Sequence, residues 1–146
     1  MQCRFCNTPL RHLFLSLGSA PLSNSYLGAE DLQKMEPYYP LDVYVCENCL
    51  LVQLEEFEKA RDIFHAGYAY FSSFSDSWLK HCERYVDMMV ERFRLNENKF
   101  VVEIASNDGY LLQYFKKYNI PILGIEPAAN TAHAAREKGI PTEITF

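Results

Sequence analysis

The chain has 146 residues, of which 49% are hydrophobic and 23% charged, and its formal net charge is −5. This length accommodates one ordinary domain or two small modules, and the apolar content excludes a wholly disordered chain. The acidic balance disfavours nucleic acid as a partner, because no surplus of Lys and Arg is available to neutralise phosphates. No apolar run approaches the ~18 residues of a membrane span, and Cys3 and Cys6 interrupt the N-terminal segment where a signal peptide would be apolar. We therefore expect a soluble cytoplasmic protein without a membrane partner.

Four of the five cysteines form two C-x-x-C pairs, Cys3 with Cys6 and Cys46 with Cys49, and the fifth is Cys82. In a reducing cytoplasm, such pairs are more often metal ligands than disulfides. Each C-x-x-C turn presents two thiolates to one ion, and two turns complete a tetrahedral shell that leaves no position for substrate. We therefore predict a structural zinc site. A thioredoxin-like redox pair, disulfides and bound iron are the alternatives.

The second cysteine pair lies between two strand-like segments, residues 41–45 and 50–54. They predict a β-hairpin with the pair at its tip. Residues 16–39, rich in Gly, Pro, Ser and Asn, predict a loop between the two pairs. We assign residues 1–56 to a zinc-binding module. Such a module gains only ~3–5 kcal/mol from its own core, against on the order of 10 kcal/mol from a structural zinc site.

Residues 57–98 are predicted to form an aromatic linker followed by an amphipathic helix. After a short helix at 57–64, residues 65–75 read HAGYAYFSSFS, which we call the aromatic segment. Such a segment either packs between domains or lines a ligand site with Tyr and Ser hydroxyls. Residues 76–94 predict a helix capped by Ser75 or Asp76. Its apolar stripe, predicted to be core with Cys82 as a small buried hydrophobe, contains Trp78, Cys82, Tyr85, Val86, Met89 and Phe93.

From residue 99 onward, strand and helix patterns alternate. Strands are predicted at 100–104, 120–125 and 141–146, and helices at 109–117 and 128–138. This βαβαβ order is typical of an α/β fold with a parallel sheet, and we predict the first half of a Rossmann-like domain over residues 99–146. Ligands of such sheets bind at the carboxyl ends of the strands. The informative residues are therefore those that follow the first two strands.

The first strand leads into E-I-A-S-N-D-G, from Glu103 to Gly109. Small residues allow the backbone to approach a ligand, and a following helix offers free N–H groups. A dinucleotide fingerprint would need G-x-G-x-x-G; Gly109 is the only glycine here, which disfavours NAD. Glu126 ends the second strand. It either accepts hydrogen bonds from ribose hydroxyls or caps the next helix.

Four motifs occur in order: the C-x-x-C pairs, Y-x-Y-x-S-S-x-S, E-I-A-S-N-D-G-Y-L-L and G-I-E-P-A-x-N-x-A. In this combination the sequence resembles the sugar C-methyltransferase family. These are S-adenosylmethionine-dependent enzymes with an N-terminal four-cysteine zinc domain, and they act on nucleotide-linked deoxy keto-sugars. The resemblance covers almost the whole chain and implies a class I methyltransferase fold.

The resemblance also implies roles for individual residues. The cysteines of both pairs would bind zinc, residues 106–109 would hold the methionine end of the cofactor, and Glu126 its ribose. Tyr68 and Tyr70, with Ser72 and Ser73, would line the methyl-transfer pocket. The implied cofactor-binding residues are Tyr70, Ser72, Ser73, Glu103, Ala105, Ser106, Asn107, Asp108, Gly109, Glu126 and Pro127.

Members of this family are more than twice as long as this chain, and their remaining strands and their proton-abstracting His/Glu segment follow later. We therefore expect the N-terminal portion of an enzyme, inactive alone, whose full-length form binds a nucleotide-sugar. None of His12, His65, His81 and His133 stands in a catalytic constellation. The alternative is a non-enzymatic zinc module that pairs with another chain through the exposed edge of its half-sheet.

Overall fold

The computed structural model describes residues 1–146, which divide into two compact units, Met1–Lys59 and Ala60–Phe146. Each unit contains one three-stranded sheet, antiparallel in the first and parallel in the second. The second unit combines its parallel sheet with helices, as an α/β fold requires. No helix has the length and apolar character needed to cross a membrane.

The sheet of the first unit contains β1 (His12–Ala20), β2 (Tyr39–Val45) and β3 (Val52–Leu54), in that spatial order. β2 and β3 pair antiparallel, with Val45 opposite Val52. The loop between these two residues carries Cys46 and Cys49. The predicted hairpin with the second cysteine pair at its tip is confirmed.

β1 corrects the prediction of a single loop over residues 16–39, because residues 16–20 belong to this strand. Its residues are exposed except for the half-buried Ala20, so β1 lacks the alternation by which a strand is recognised in a sequence. Antiparallel pairing with β2 defines the strand instead. The register of this pairing shifts twice, between Leu13 and Leu15 and between Ser16 and Ser19. Gly18, within the second shift, has a φ of +79° that favours glycine.

In the second unit, three helical segments precede the parallel sheet, and one helix separates each of its strands from the next. Its elements are α1 (Ala60–Ile63), a 3₁₀ turn (Ser72–Phe74), α2 (Asp76–Phe93), β4 (Val101–Ile104), a 3₁₀ helix (Leu112–Tyr118), β5 (Ile122–Ile125), α3 (Ala129–Glu137) and β6 (Thr142–Glu143). The strands lie in the order β4-β5-β6, with β4 parallel to β5 and β5 parallel to β6. The predicted parallel sheet is confirmed for these three strands.

α2 follows the prediction closely in its bounds but not in its burial. Ser75 is the N-cap, since its Oγ accepts the N–H of Trp78 at 3.3 Å. Cys82 is buried as predicted, together with Val86. The prediction that the whole stripe is core is wrong, because Trp78, Tyr85 and Phe93 are exposed at 41%, 40% and 60%. The core contacts only a narrow strip of α2, and wide aromatic side chains at its margins remain in solvent.

Three further predicted elements are shorter or different. Where the sequence predicts a helix over residues 109–117, the structure has the shorter 3₁₀ helix Leu112–Tyr118. The reason is local: Ala105, Asn107 and Gly109 have φ of +60°, +50° and +75°, and this left-handed backbone delays the helix. The first predicted helix is limited to α1, and the third predicted strand to β6.

The core of the second unit lies between α2, the 3₁₀ helix, the sheet and α3. Its buried residues are Val86, Leu112, Phe115, Ile120, Ile122, Ala135 and Ile140. Gly109 packs against this core so closely that a Cβ would collide with the side chain of Ile140. Apolar packing of Gly109 against Ile140 therefore fixes the backbone after β4.

Candidate functional site

The four predicted zinc ligands form one cluster in the first unit. The sulfur atoms of Cys3, Cys6, Cys46 and Cys49 all lie within 4.8 Å of one another. Sγ of Cys3 is 3.6 Å from Sγ of Cys49, and Sγ of Cys6 is 3.5 Å from Sγ of Cys46. Zinc–sulfur bonds of ~2.3 Å in a tetrahedron separate the sulfurs by about 3.8 Å. The donor set therefore fits a single tetrahedral ion.

Both cysteine pairs lie on knuckles with the same backbone hydrogen bonds. In the first, Asn7 N–H donates to the carbonyl of Cys3 at 2.9 Å, and Cys3 N–H donates to the carbonyl of Thr8 at 2.8 Å. In the second, Leu50 N–H donates to Cys46, and Cys46 N–H donates to the carbonyl of Leu51, at 2.9 and 3.0 Å. The two motifs, far apart in sequence, thus present their sulfurs through the same local turn.

The same arrangement places a left-handed residue in each knuckle. The residue that follows the second cysteine has φ of 58° at Asn7 and 63° at Leu50. Asn adopts this conformation readily, whereas Leu does so at a cost. The metal-binding turn at Leu50 thus overrides a local preference of its sequence.

The cysteines also supply most of the interior of the first unit. Its only buried residues are Cys3, Cys46 and Gln53. Gln53 Nε2 donates to Sγ of Cys3 at 3.2 Å, and its Oε1 accepts the N–H of Arg4 at 3.0 Å. With so little apolar burial, the metal would take the place of a hydrophobic core.

The thiols of Cys6 and Cys49 differ strongly in pKa. Hydrogen bonding by Thr8 lowers the pKa of Cys6 to about 5. At Cys49, the hydrogen bond with Leu51 lowers the pKa, but burial and the neighbouring cysteines outweigh it and raise the pKa to about 12. Cys6 thus favours the thiolate and Cys49 the thiol, and a divalent cation bound between them would stabilise both as thiolates.

A cavity of about 350 Å³ lies in the second unit at the carboxyl ends of β4 and β5. Seven residues of its wall were predicted at the sequence level: Tyr68, Tyr70, Ser72, Ala105, Asn107, Glu126 and Pro127. The other wall residues are Ala60, Phe64, Ile104, Tyr110, Ile125, Thr145 and Phe146. Apolar and aromatic side chains with a few polar groups are the usual lining of a small-molecule site.

Five predicted residues do not contribute to this wall: Ser73, Glu103, Ser106, Asp108 and Gly109. Three of them nevertheless carry buried polar atoms without a hydrogen-bond partner, namely Glu103 Oε2, Ser106 Oγ and Asp108 Oδ1. Buried polar groups are normally satisfied, so this concentration marks the region after β4 as one with unused bonding capacity.

Glu126 joins two turns with its buried carboxylate. Its Oε2 accepts the N–H of Asn107 and its Oε1 accepts the N–H of Ala128, both at 2.8 Å. The bond with Ala128 lies at the start of α3, as in the helix-capping alternative raised from the sequence. Glu126 also lines the cavity, so its carboxylate lies between these two turns and the space at the strand ends.

Asn107 connects the region after β4 to the aromatic segment. Its Oδ1 accepts the N–H of Ser72 at 2.9 Å, and its Nδ2 donates to the carbonyl of Tyr70 at 3.1 Å. Asn107 and Ala105 are both in the left-handed region. Such conformations persist where surrounding contacts impose them, and they are frequent at binding sites.

Glu103 and Tyr110 form an electrostatically coupled pair. Burial raises the pKa of Glu103 to about 7, against an opposing hydrogen bond from Tyr110, and the carboxylates of Asp108 and Glu126 raise it further. Burial and the proximity of Glu103 raise the pKa of Tyr110 to about 12. Glu103 is therefore a carboxyl group that changes its charge near neutral pH.

Two contacts to the aromatic segment come from residues that the sequence analysis missed. Asn130 Nδ2 donates to the carbonyl of Tyr68 at 2.7 Å, and Lys138 Nζ donates to Oγ of Ser73 at 2.9 Å. Asn130 lies within G-I-E-P-A-x-N-x-A, so a sequence signal existed. Lys138 gave none, because a lysine near the end of a helix is ordinary. No histidine lines the cavity.

Comparison with known proteins supports both units. Residues 3–64 match a family model described as "Putative zinc binding domain". The chain is 36% identical over 141 residues to C-methyltransferase NovU from Streptomyces niveus, which is 97% of this chain and 33% of the relative. It thus spans about a third of the length of that relative, the N-terminal part. The resemblance predicted from the motifs is confirmed: over nearly all of its length, this chain is similar to the N-terminal part of a C-methyltransferase, and residues 3–64 match a model of a zinc-binding domain.

Proposed function

We propose that the second unit binds S-adenosylmethionine in the 350 Å³ cavity, while the first unit holds a structural zinc ion. The full-length protein would then transfer a methyl group to a carbon next to the ketone of a nucleotide-linked deoxy sugar. The observation that carries the proposal is the position of the cavity. It lies at the carboxyl ends of two parallel strands, and Glu126 follows the second of them.

The residues present suit this cofactor. The cavity volume falls within the range of about 300–1,000 Å³ typical of ligand sites. Aromatic rings attract cations such as a sulfonium, and five line this cavity: Phe64, Tyr68, Tyr70, Tyr110 and Phe146. Each Glu126 oxygen accepts one backbone N–H and keeps a lone pair for a ribose hydroxyl.

S-adenosylmethionine supplies a methyl group on a positively charged sulfur. The residues described here would bind and orient it, with the aromatic segment excluding water from one side of the cavity. Proton abstraction from the sugar needs a base within hydrogen-bond reach. No histidine lines the cavity, and Tyr110, with its pKa near 12, stays protonated at neutral pH. We therefore assign proton abstraction to a residue outside this chain. The chain alone would bind cofactor without methylating a sugar.

Isothermal titration of the zinc-loaded chain with S-adenosylmethionine tests the proposal. Wild-type protein should bind saturably, and Glu126→Gln should weaken binding by about tenfold or more, because one charge-assisted hydrogen bond is worth that factor. Glu137→Gln, at the exposed end of α3, is the matched control and should bind normally. Absence of binding to folded wild-type chain, or equal binding by Glu126→Gln, would refute the cofactor assignment.

The alternative function, a zinc module that pairs with another chain, draws support from β4. This strand has β5 on one side only, and its Val102 and Ile104 are 48% and 82% exposed. An unpaired apolar strand edge can accept a further strand. A stoichiometric partner that co-purifies with a chain unable to bind cofactor would favour this alternative.

The cellular location belongs to the same set of proposals. All five cysteines are free thiols, and four of them form the metal cluster. Thiolate ligands persist best in a reducing compartment. We infer a cytoplasmic protein with a nucleotide-sugar as the partner of its full-length form, and we infer no nucleic-acid partner because the net charge is −5.

A further inference from the structure

We propose that Lys138 is a positioning residue for the cavity. Its ammonium group ties residues 105–109, here named the β4 turn, to the aromatic segment, and so holds one wall of the cavity in place. The proposal rests on the proposed function, because it concerns the same site. It adds a residue that lies outside the cavity wall and acts through its neighbours.

Lys138 uses all of its donors in this connection. It follows α3 directly, and its Nζ donates to Oδ2 of Asp108 at 3.0 Å, to the carbonyl of Asp108 at 2.9 Å and to Oγ of Ser73 at 2.9 Å. A lysine ammonium has three N–H groups. Each is therefore matched to one acceptor, and three separate segments of the second unit meet at one atom.

The charge of Asp108 makes this contact specific. Its side chain is 3% exposed, and Lys138 is the one cation paired with it. The other carboxylate oxygen, Oδ1, has no partner. A buried carboxylate is costly unless a cation compensates it, so removal of Lys138 leaves an uncompensated charge in the β4 turn.

The aromatic segment depends on such side-chain contacts because it has little regular structure of its own. From residue 68 to residue 73, its hydrogen bonds include those from Asn130 to Tyr68, from Asn107 to Tyr70, and from Lys138 to Ser73. Tyr68, Tyr70 and Ser72 form part of the cavity wall.

Lys138 differs from the two asparagines in that it bonds both the segment and the buried carboxylate. If its contacts are lost, the two bonds between Asn107 and the aromatic segment remain, but the segment and the β4 turn both lose their contact with the end of α3. A variant at this position therefore tests the connection between them.

Hydrogen exchange measured by mass spectrometry tests the inference without relying on cofactor. Lys138→Met should increase amide exchange in residues 68–75 and 105–109 while leaving β5 and the middle of α2 unchanged. Lys138→Arg keeps the charge and should restore protection. Lys117→Met is the matched control, since Lys117 also pairs with carboxylates, those of Glu83 and Asp87, but on the surface of α2.

Titration with S-adenosylmethionine provides the second measurement. Lys138→Met should lose about tenfold or more in affinity, because the released wall would be in its binding-competent position for only a small fraction of the time, and Lys138→Arg should recover most of it. Unchanged exchange and affinity in Lys138→Met would overturn the inference. If wild-type chain binds no cofactor but exchange changes as expected, the proposed function fails and the role of Lys138 in holding the aromatic segment stands.

A milder variant covers the case in which Lys138→Met unfolds the second unit. Ser73→Ala removes one acceptor of the lysine and leaves the pair with Asp108 intact. Exchange should then increase in residues 68–75 alone. A uniform increase throughout the second unit, or none, would show that the lysine contact does not position this segment.

Discussion

Glu103 offers a direct test of the electrostatics around the β4 turn. Burial raises the pKa of this carboxyl to about 7 from an ordinary value of 4.5. Between these two pH values, the folded protein binds a proton that the unfolded chain has lost. The free energy of unfolding therefore falls as pH rises through this interval and levels off above pH 7.

The size of the effect follows from the same two values. At 1.36 kcal/mol per pKa unit, the difference between 4.5 and about 7 corresponds to ~3 kcal/mol. Glu103 is only partly buried, so solvent screening reduces this amount, and we expect about 2 kcal/mol. Glu103→Gln is always neutral and should not show the loss. At pH 8 the variant should be about 2 kcal/mol more stable than wild type, relative to their difference at pH 5.

Denaturant unfolding followed by tryptophan fluorescence measures this difference. The chain has one tryptophan, Trp78 in α2, so the signal reports on the second unit. Glu97→Gln, at an exposed position before β4, controls for the loss of one negative charge. The reasoning is refuted if wild type and Glu103→Gln differ by the same amount at pH 5 and pH 8, or if wild type gains stability over this interval relative to the variant.

Three further predictions concern the metal cluster and the β4 turn. Cys46→Ser should reduce bound zinc well below one equivalent and unfold the sheet of the first unit, which metal analysis and circular dichroism would detect; full zinc retention would contradict the shared site. Gly109→Ala should destabilise the second unit by about 1–2 kcal/mol or more, because φ is +75° and a Cβ collides with Ile140. Unchanged stability in denaturant would contradict this packing. Ala105→Gly should stabilise the unit by about 0.5–1 kcal/mol, since φ is +60°. A lower unfolding midpoint would exclude this strain.

Local patterns predicted the metal cluster and most of the secondary structure well. The C-x-x-C spacing alone predicts the geometry, because each turn presents its two sulfurs to one ion however far apart the two motifs lie in the sequence. α2 has a cap and an apolar periodicity, and both lie within its own residues. The strands β4 and β5 are short and largely apolar runs, which is enough to predict strands, although Val102 and Ile104 of β4 are exposed.

Other features could not be predicted from the sequence, because their cause lies outside the segment in which they occur. β1 is exposed nearly throughout and is a strand because β2 pairs with it. The aromatic side chains of α2 have the periodicity of a core face, yet Trp78 and Phe93 are exposed, since only neighbouring elements decide how wide a strip is covered. Hydrogen bonds between residues 65 positions apart, such as that of Lys138 with Ser73, have no local signal.

The sequence by itself thus determined the four-cysteine cluster, the hairpin that carries two of the cysteines, α2, and the parallel sheet. Each of these depends on spacing or periodicity within a short stretch of chain. Tertiary structure alone decided which predicted residues line the cavity, and it assigned both oxygens of Glu126 to backbone amides. It also brought Lys138 to the buried Asp108, because the position of a charge relative to distant segments is set by how the sheet, the β4 turn and α3 pack together.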